Sequence, residues 1–237
     1  MNKFIFDVDG TLTPSRQSIN TEFKQWFTDF CINNEVYLIT GSDYAKTQEQ
    51  LGDYLLRWPI SVYNCSGNEK WSKGELVSKR GWYPPPELYD LLTGWSQTSK
   101  FPVRTGRHIE ERTGMVNFSI VGRGATLAER KMYIEYDIEN RERESIAFQI
   151  NSQFEDITAT VGGETGVDIH PTGWDKSQIL NCFSTEEKKH LYFFGDKTEP
   201  GGNDYPLALK VRHSYQIKNW HDTWERLKYL QEVKIAK

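Results

Sequence analysis

The sequence predicts an α/β protein: a parallel β-sheet core assembled from both ends of the chain, with an α+β unit inserted between them. Three observations carry this. Strand-like and helix-like segments alternate over the first third and again after Pro171, the pattern of a sheet covered on both faces. The alternation breaks at Pro84-Pro85-Pro86, where neither a helix nor a central strand can continue. Between that break and Pro171, pairs of short strands flank Thr113-Gly114 and Gly162-Gly163, an antiparallel pattern. The expected division is a core of residues 1–82 and 173–237 and an inserted domain of residues 83–172.

Taken in order, Lys3–Asp7 is an apolar strand ending at Asp7-Val8-Asp9-Gly10, where the glycine marks a turn. Ile19, Phe23, Trp26, Phe27 and Phe30 then fall on one helical face. Val36–Thr40 reads as the second strand, and Ser42 as the cap of a helix whose apolar stripe is Tyr44, Leu51 and Leu55. Ile60–Asn64 reads as a third strand. Gly81–Pro86 is a hinge or a segment boundary, followed by a helix over 87–99. Residues 107–121 hold two strands, and 126–154 form one or two helices whose charge run reads as a solvated face. Strands at 157–161 and 166–170 complete the insert. A helix from Ser177 to Cys182, a strongly apolar strand at 191–194 ending in Gly195-Asp196, a strand at 214–217 and a helix from Trp220 to about Val233 close the core.

Composition narrows the function. The net charge of −4 argues against nucleic acid as the main partner. No apolar run approaches the ~18 residues of a membrane-spanning helix, so no membrane partner is expected. The chain enters a strand almost at once and lacks a signal-peptide pattern. Cys31, Cys65 and Cys182 are odd in number and widely spaced, which reads as reduced, buried thiols of a cytoplasmic protein.

Ligands of open α/β sheets sit at the carboxyl ends of the strands, so residues following strands should converge. Here these are Asp7/Asp9, Thr40/Ser42 and Asp196/Asp204, with Lys176 near them. The residue types suit phosphoryl transfer. A carboxylate attacking phosphorus forms an acyl phosphate and splits one hard transfer into two. Two carboxylates and a phosphate repel one another unless a hard cation such as Mg²⁺ intervenes. Asp7 and Asp196 are the natural pair to hold it, Asp9 a proton donor and acceptor. A hydroxyl of Thr40 or Ser42, with the Lys176 ammonium, would bind the equatorial phosphoryl oxygens. Two aspartates spaced by one residue also fit a strand that merely ends in an acidic turn.

The string Phe6-Asp-Val-Asp-Gly-Thr-Leu-Thr13 resembles the first motif of the haloacid-dehalogenase-like (HAD) phosphotransferases. Gly41-Ser-Asp43, Gly173-Trp-Asp-Lys176 and Gly195-Asp-Lys-Thr-Glu-Pro-Gly-Gly-Asn-Asp204 narrow the resemblance to the eukaryotic-type phosphomannomutases. Ile109–Asn117, Ile120–Arg123, Gly162-Gly163 and Val167-Asp168 resemble that family's cap. The resemblance implies a Rossmann-like HAD core with an inserted cap, phosphomannomutase activity, and a hexose 1,6-bisphosphate activator. It implies Asp7 as nucleophile and Asp9 as acid/base. Mg²⁺ would be held by Asp7, the backbone carbonyl of Asp9, and Asp196, with Asp204 in the same acidic set. Arg16 would contact substrate, Arg112 and Arg123 would hold the phosphate away from the reaction centre, and Asp168 would contact the sugar. A homodimer through the caps and a role in GDP-mannose supply are implied too. Guanidinium forks suit phosphate independently of the resemblance, and a bisphosphate needs an anion site in each domain.

This chain departs from the family pattern in three places. Thr105 stands where relatives have arginine, with Arg104 and Arg107 flanking it to supply the charge. Gly166 stands where relatives have serine, and Cys65-Ser66-Gly67 replaces an Asn-containing turn. These changes bear on the distal phosphate and leave open a HAD-type sugar-phosphate phosphatase, in which Asp9 would activate water. A catalytically silent scaffold is the third possibility, against which Asp7, Asp9, Lys176 and Asp196 all argue.

Overall fold

The computed structural model describes residues 2–235. The chain begins β1 (Lys3–Phe6), α1 (Thr21–Asn33), β2 (Glu35–Ile39), α2 (Tyr44–Leu51), the single turn α3 (Asp53–Leu56) and β3 (Ser61–Asn64). A hairpin follows, β4 (Glu69–Ser72) and β5 (Glu75–Lys79). Next come α4 (Pro86–Thr98), β6 (Ile109–Arg112), β7 (Met115–Phe118), α5 (Leu127–Asn140), α6 (Glu142–Gln153), β8 (Ile157–Gly162) and β9 (Gly166–Pro171). A 3₁₀ segment (Lys176–Cys182), α7 (Thr185–Lys188), β10 (Leu191–Gly195), α8 (Tyr205–Ala208), β11 (His213–Gln216) and α9 (Trp220–Ile235) complete it.

Two sheets result. Seven strands run in the order β11-β10-β1-β2-β3-β4-β5, the first five parallel and the last two antiparallel. Four antiparallel strands run β6-β7-β9-β8. β1 is central and buried along its length. Its alternation sends Phe4 and Phe6 to the face covered by Phe23, Phe27 and Phe30 of α1, and Ile5 to the opposite face with Ile39, Phe193 and Leu180. Phe6 meets Phe27 edge-on at 5.1 Å and stacks on Phe194 at 4.8 Å. Such pairs contribute about 0.5–1.5 kcal/mol each beyond area burial, so the ring-rich composition suffices for a rigid core. The four-stranded sheet has its own core around Phe101, Phe118, Tyr133 and Ile150.

Five sequence expectations need correction. No strand was expected between Cys65 and Gly81, yet β4 and β5 extend the sheet there. Lys73-Gly74, with φ of 53° and 86°, turns the hairpin in the left-handed geometry that matches strand twist. The Tyr44 ring stacks on Trp71 at 3.8 Å and ties the hairpin to α2. Asp43, not Ser42, caps α2, accepting from the Lys46 N–H at 2.8 Å. The helix carrying Tyr44, Leu51 and Leu55 breaks at Gly52 into α2 and α3. The Ser177–Cys182 segment is 3₁₀ rather than α-helical, running from Lys176 and capped by Asp175, which accepts from Ser177 N–H at 2.7 Å. Cys31 and Cys65 are buried, but Cys182 is exposed; all three are free thiols.

The two links between the sheets lie side by side. Arg80, leaving β5, sets its guanidinium 3.3 Å over the Trp174 ring, which follows β9. Among the described residues no helix is long and apolar enough to cross a membrane.

Candidate active site

The carboxyl ends of β1, β2 and β10 face the four-stranded sheet across a cleft of about 480 Å³. Asp7, Asp9, Thr40, Ser42 and Asp196 line one wall; Arg16 reaches in from the loop after β1. Arg107, Arg112, Arg123 and Asp168 line the other. Lys176 and Asp204 lie beneath the floor, Lys176 1% exposed and Asp204 0%.

On the floor, Lys176 Nζ donates to Asp7 Oδ1 at 2.6 Å and to Asp204 Oδ1 at 2.8 Å. The second oxygen of Asp204 accepts from the Lys197 N–H at 3.1 Å. Asp7, Asp196 and Asp204 bring ligand oxygens within 4.8 Å of one another, a set able to hold a metal ion. The close packing depends on Gly10. Its φ is +82°, and a Cβ there would sit 2.5 Å from Asp196 Oδ2. Three carboxylates face two ammoniums, Lys176 between Asp7 and Asp204 and Lys197 at 3.9 Å from Asp196 Oδ2, so negative charge is in excess. Burial, then Asp204, pushes Asp196 up to about 7. Burial also raises Asp7 well above the usual carboxylate range, with Asp204 and Asp196 adding to it against the pull of Lys176. A hard divalent cation suits this oxygen set.

The raised Asp196 carries a testable consequence. Its folded pKa lies above the unfolded 3.8, so the metal-free native state binds a proton more tightly than the unfolded chain between those values. Metal-free stability therefore falls as pH rises from about 4 to about 7, and the gain from added Mg²⁺ grows over the same window. Thermal melts from about pH 4.5 to 8, with chelator and with Mg²⁺, check this; parallel curves would refute it.

The Asp9 carboxylate has partners of its own outside the acidic triad. Its Oδ1 accepts the Arg16 N–H at 2.7 Å and Gln50 Nε2 at 3.0 Å, and its Oδ2 accepts the Ser42 hydroxyl at 3.2 Å. The Asp9 side chain is thus engaged by these donors, and the family resemblance assigns its backbone carbonyl, not this carboxylate, to the metal. The turn at Cys65-Ser66 braces the opposite strand end: Cys65 N–H donates to Ser42 O and Ser66 N–H to Thr40 O, both at 2.9 Å. Both residues take φ near +50° to +57°, a conformation costing about 1–3 kcal/mol each in a non-glycine residue.

The upper wall is an arginine cluster. Glu110 bridges Arg112 Nη2, at 2.7 Å, and Arg123 Nη2. Arg123 Nη1 donates to Asn117 Oδ1 at 2.9 Å, and Asn117 Nδ2 to Asp168 Oδ1 at 2.7 Å. Burial, then Arg112 and Arg16, pushes Arg123 down to about 9. Burial, then Arg130 and Arg112, lowers Arg16 as well. Burial alone would raise Glu110; Arg112 and Arg123 outweigh it and hold it below the usual range. Crowded guanidiniums of one sign are a strong anion site. The two walls also touch: Arg112 Nη1 donates to Gly41 O at 2.7 Å, Asn203 Nδ2 to Asp168 Oδ2 at 3.3 Å, and Val161 N–H to Gly201 O at 3.1 Å.

Sequence reasoning missed Arg130, Gln50, Glu110 and Asn117. Arg130 sat in the run read as solvated, but Arg130, Tyr133 and Asp137 form the buried face of α5. Their i, i+3, i+7 spacing after the Thr126–Glu129 capping box was the available signal. Arg130 lines the cleft, donating to Thr165 Oγ1 at 3.0 Å and Glu164 Oε2 at 3.1 Å. Arg107 also lines the cleft, whereas Arg104 is spent on the carbonyls of Ser96 and Ser99 at the end of α4 and on that of Val103. A Cβ on Gly166 would come 2.7 Å from Asn117 Nδ2, so the Asn117–Asp168–Arg123 network occupies the space a serine would need.

A parallel sheet with acidic residues beyond β1 and β10, facing an inserted antiparallel unit, defines a HAD-like enzyme. The fold is similar to an IMP-bound, N-terminally truncated Plasmodium falciparum IMP-nucleotidase, with a TM-score of 0.62 at 14% identity, over 98% of this chain and 68% of that one. The model of the eukaryotic phosphomannomutase family matches residues 23–233. A phosphomannomutase of Drosophila melanogaster is 33% identical over 97% of this chain and 95% of its own length. A probable phosphomannomutase of Caenorhabditis elegans is 32% identical over 88% and 86%. The chain belongs to the eukaryotic phosphomannomutase family and is an enzyme of that isomerase class.

Proposed function

We propose that this enzyme interconverts mannose 6-phosphate and mannose 1-phosphate through an aspartyl phosphate at Asp7 and a hexose 1,6-bisphosphate. The observation that carries the reading is the pairing of two anion sites across one cleft. The acidic floor with Lys176 faces the Arg16, Arg112, Arg123 and Arg130 cluster, which suits a substrate phosphorylated at both ends.

In this reading residues 1–82 and 173–237 form the catalytic core and 83–172 the cap. Bound Mg²⁺, held by Asp7, Asp196 and the Asp9 backbone carbonyl beside Asp204, would supply charge neutralisation between carboxylates and phosphoryl oxygens. An Asp7 oxygen bonds to phosphorus as the phosphorus–sugar oxygen bond breaks, and Asp9 gives that oxygen its proton. Thr40, Ser42 and Lys176 stabilise the equatorial oxygens. The primed enzyme then takes a hexose monophosphate whose free hydroxyl faces phospho-Asp7. Asp9 takes that proton, and the Asp7–phosphorus bond breaks as the phosphoryl group passes to the sugar. The resulting 1,6-bisphosphate turns end for end, so that Asp7 takes the phosphoryl group from its other position. Arg107, with the four clustered arginines, holds the distal phosphate, and Asp168 the sugar. Contacts such as Arg112–Gly41 and Asn203–Asp168 would keep water from the aspartyl phosphate. The reading further includes a cytoplasmic homodimer joined through the caps, serving GDP-mannose supply, on the strength of the family resemblance.

Phosphorus NMR with mannose 1-phosphate, Mg²⁺ and catalytic bisphosphate tests the proposal. Mannose 6-phosphate should accumulate, and a chelator should stop it. Free phosphate in its place means the sugar-phosphate phosphatase instead. The clamp has its own check. Arg123→Ala should raise the KM for the sugar phosphate about tenfold or more, the scale of a lost charged hydrogen bond, and spare hydrolysis of a small phosphate ester. Equal losses on both would show that Arg123 does not bind the distal phosphate.

A further inference from the structure

We infer that Gln50 is the residue that positions the Asp9 carboxylate for proton transfer, an inference that rests on the reading of Asp9 as acid/base. Gln50 lies in the last turn of α2 and is 2% exposed. It does not line the cleft, so it acts through Asp9 and not on substrate. Its Nε2 donates to Asp9 Oδ1 at 3.0 Å and Thr13 Oγ1 at 3.1 Å, with Gln17 O at 3.4 Å as the weakest partner of its two hydrogens. The amide orientation follows from these neighbours. Flipped, Oε1 would face a carboxylate and a carbonyl, neither of which can donate. The main chain of Gln50 is fixed too, its carbonyl accepting the Ile19 N–H at 3.0 Å.

Two features separate this from ordinary helix packing. First, Gln50 Oε1 is buried with no partner among the described residues. Burying an unsatisfied acceptor costs on the order of 1–3 kcal/mol, which an apolar side chain of similar size would avoid. The amide is retained at a cost, and its Nε2 is the part that makes contacts. Second, the other side-chain donor to Asp9 is Ser42, which lines the cleft and is a candidate partner for phosphoryl oxygens. Once that hydroxyl turns to a phosphoryl group, the carboxylate keeps Gln50 as its side-chain anchor and the Arg16 N–H as its backbone one. The Asp9 oxygen must meet a leaving oxygen within hydrogen-bond reach, and a displacement near 1 Å can cost about a hundredfold in rate.

The test compares two donors in single-turnover formation of phospho-Asp7. With hexose 1,6-bisphosphate, the phosphorus–oxygen bond breaks to a sugar alkoxide that needs the Asp9 proton. With acetyl phosphate, the leaving acetate departs as an anion and needs none. Gln50→Met should slow the first reaction about a hundredfold and the second by about threefold or less. Equal slowing with both donors, or no slowing with either, overturns the inference. Rapid acetyl phosphate labelling also reports that the variant is folded; if Gln50→Met does not fold, Gln50→Glu, which sets a carboxylate against Asp9, should give the same donor-dependent split. A native chain that forms no phospho-Asp7 from either donor would remove the underlying reading as well, whereas normal labelling of the native chain with equal rates in the variant removes the Gln50 role alone.

Discussion

Asp7→Asn should abolish phosphoryl transfer from every donor, by more than about ten-thousandfold, and leave a protein at least as stable as the parent. The rate loss follows from chemistry: an amide oxygen does not displace at phosphorus, and removing a nucleophile acts on this scale. The stability follows from electrostatics. Asp7 is buried beside Asp196 and Asp204, and its ionisation is opposed by burial and by both neighbours. Asparagine keeps an oxygen for the Lys176 Nζ, which lies 2.6 Å from Asp7 Oδ1, and removes one of three crowded negative charges. The site is thus assembled at the expense of stability, a common property of reactive centres. Labelling by bisphosphate, followed beside thermal melts in chelator, checks both halves. Residual turnover near the parental rate would remove the covalent mechanism, and a sharply lower melting temperature would refute the electrostatic account.

Legibility in the sequence tracked how local the signal was. β1 announced itself through Phe4-Ile5-Phe6 ending at two aspartates, because a strand buried on both faces has to be apolar throughout. The antiparallel pairs β6/β7 and β8/β9 were visible from their turn glycines. The β4–β5 hairpin was not. Glu69-Lys70-Trp71-Ser72 carries charges on a half-buried strand beside the edge strand β5, and the Tyr44–Trp71 stack that fastens it is a tertiary contact with no period to read. The same division holds in the cleft. Asp7, Asp9, Thr40, Ser42 and Asp196 follow strands and converge because parallel strands end on one side. Gln50 reaches Asp9 from 41 residues away, and Arg130 reaches the cleft from a helix that looks solvated in one dimension. The first role exists only once α2 packs on the loop after β1, and the second only once the two sheets face each other.

Lys176→Met should be the most destabilising single change in the cleft when metal is absent. The ammonium is 1% exposed and bonds two buried carboxylates, Asp7 at 2.6 Å and Asp204 at 2.8 Å. Those partners outweigh the burial that would otherwise lower it, and hold Lys176 firmly charged. Methionine fills much of the volume but leaves both carboxylates unpaired, and breaking a buried pair from one side costs about 3–5 kcal/mol. Mg²⁺ should return part of that stability, since it neutralises the same carboxylates, but not the rate, because no ammonium remains for the phosphoryl oxygens. Melts of the variant with chelator and with Mg²⁺ should therefore lie further apart than the parent's, while bisphosphate labelling of Asp7 stays slow under both. A variant that melts with the parent in chelator would mean that Lys176 does not hold the acidic floor together. One that labels at the parental rate once Mg²⁺ is added would mean that its part is structural alone.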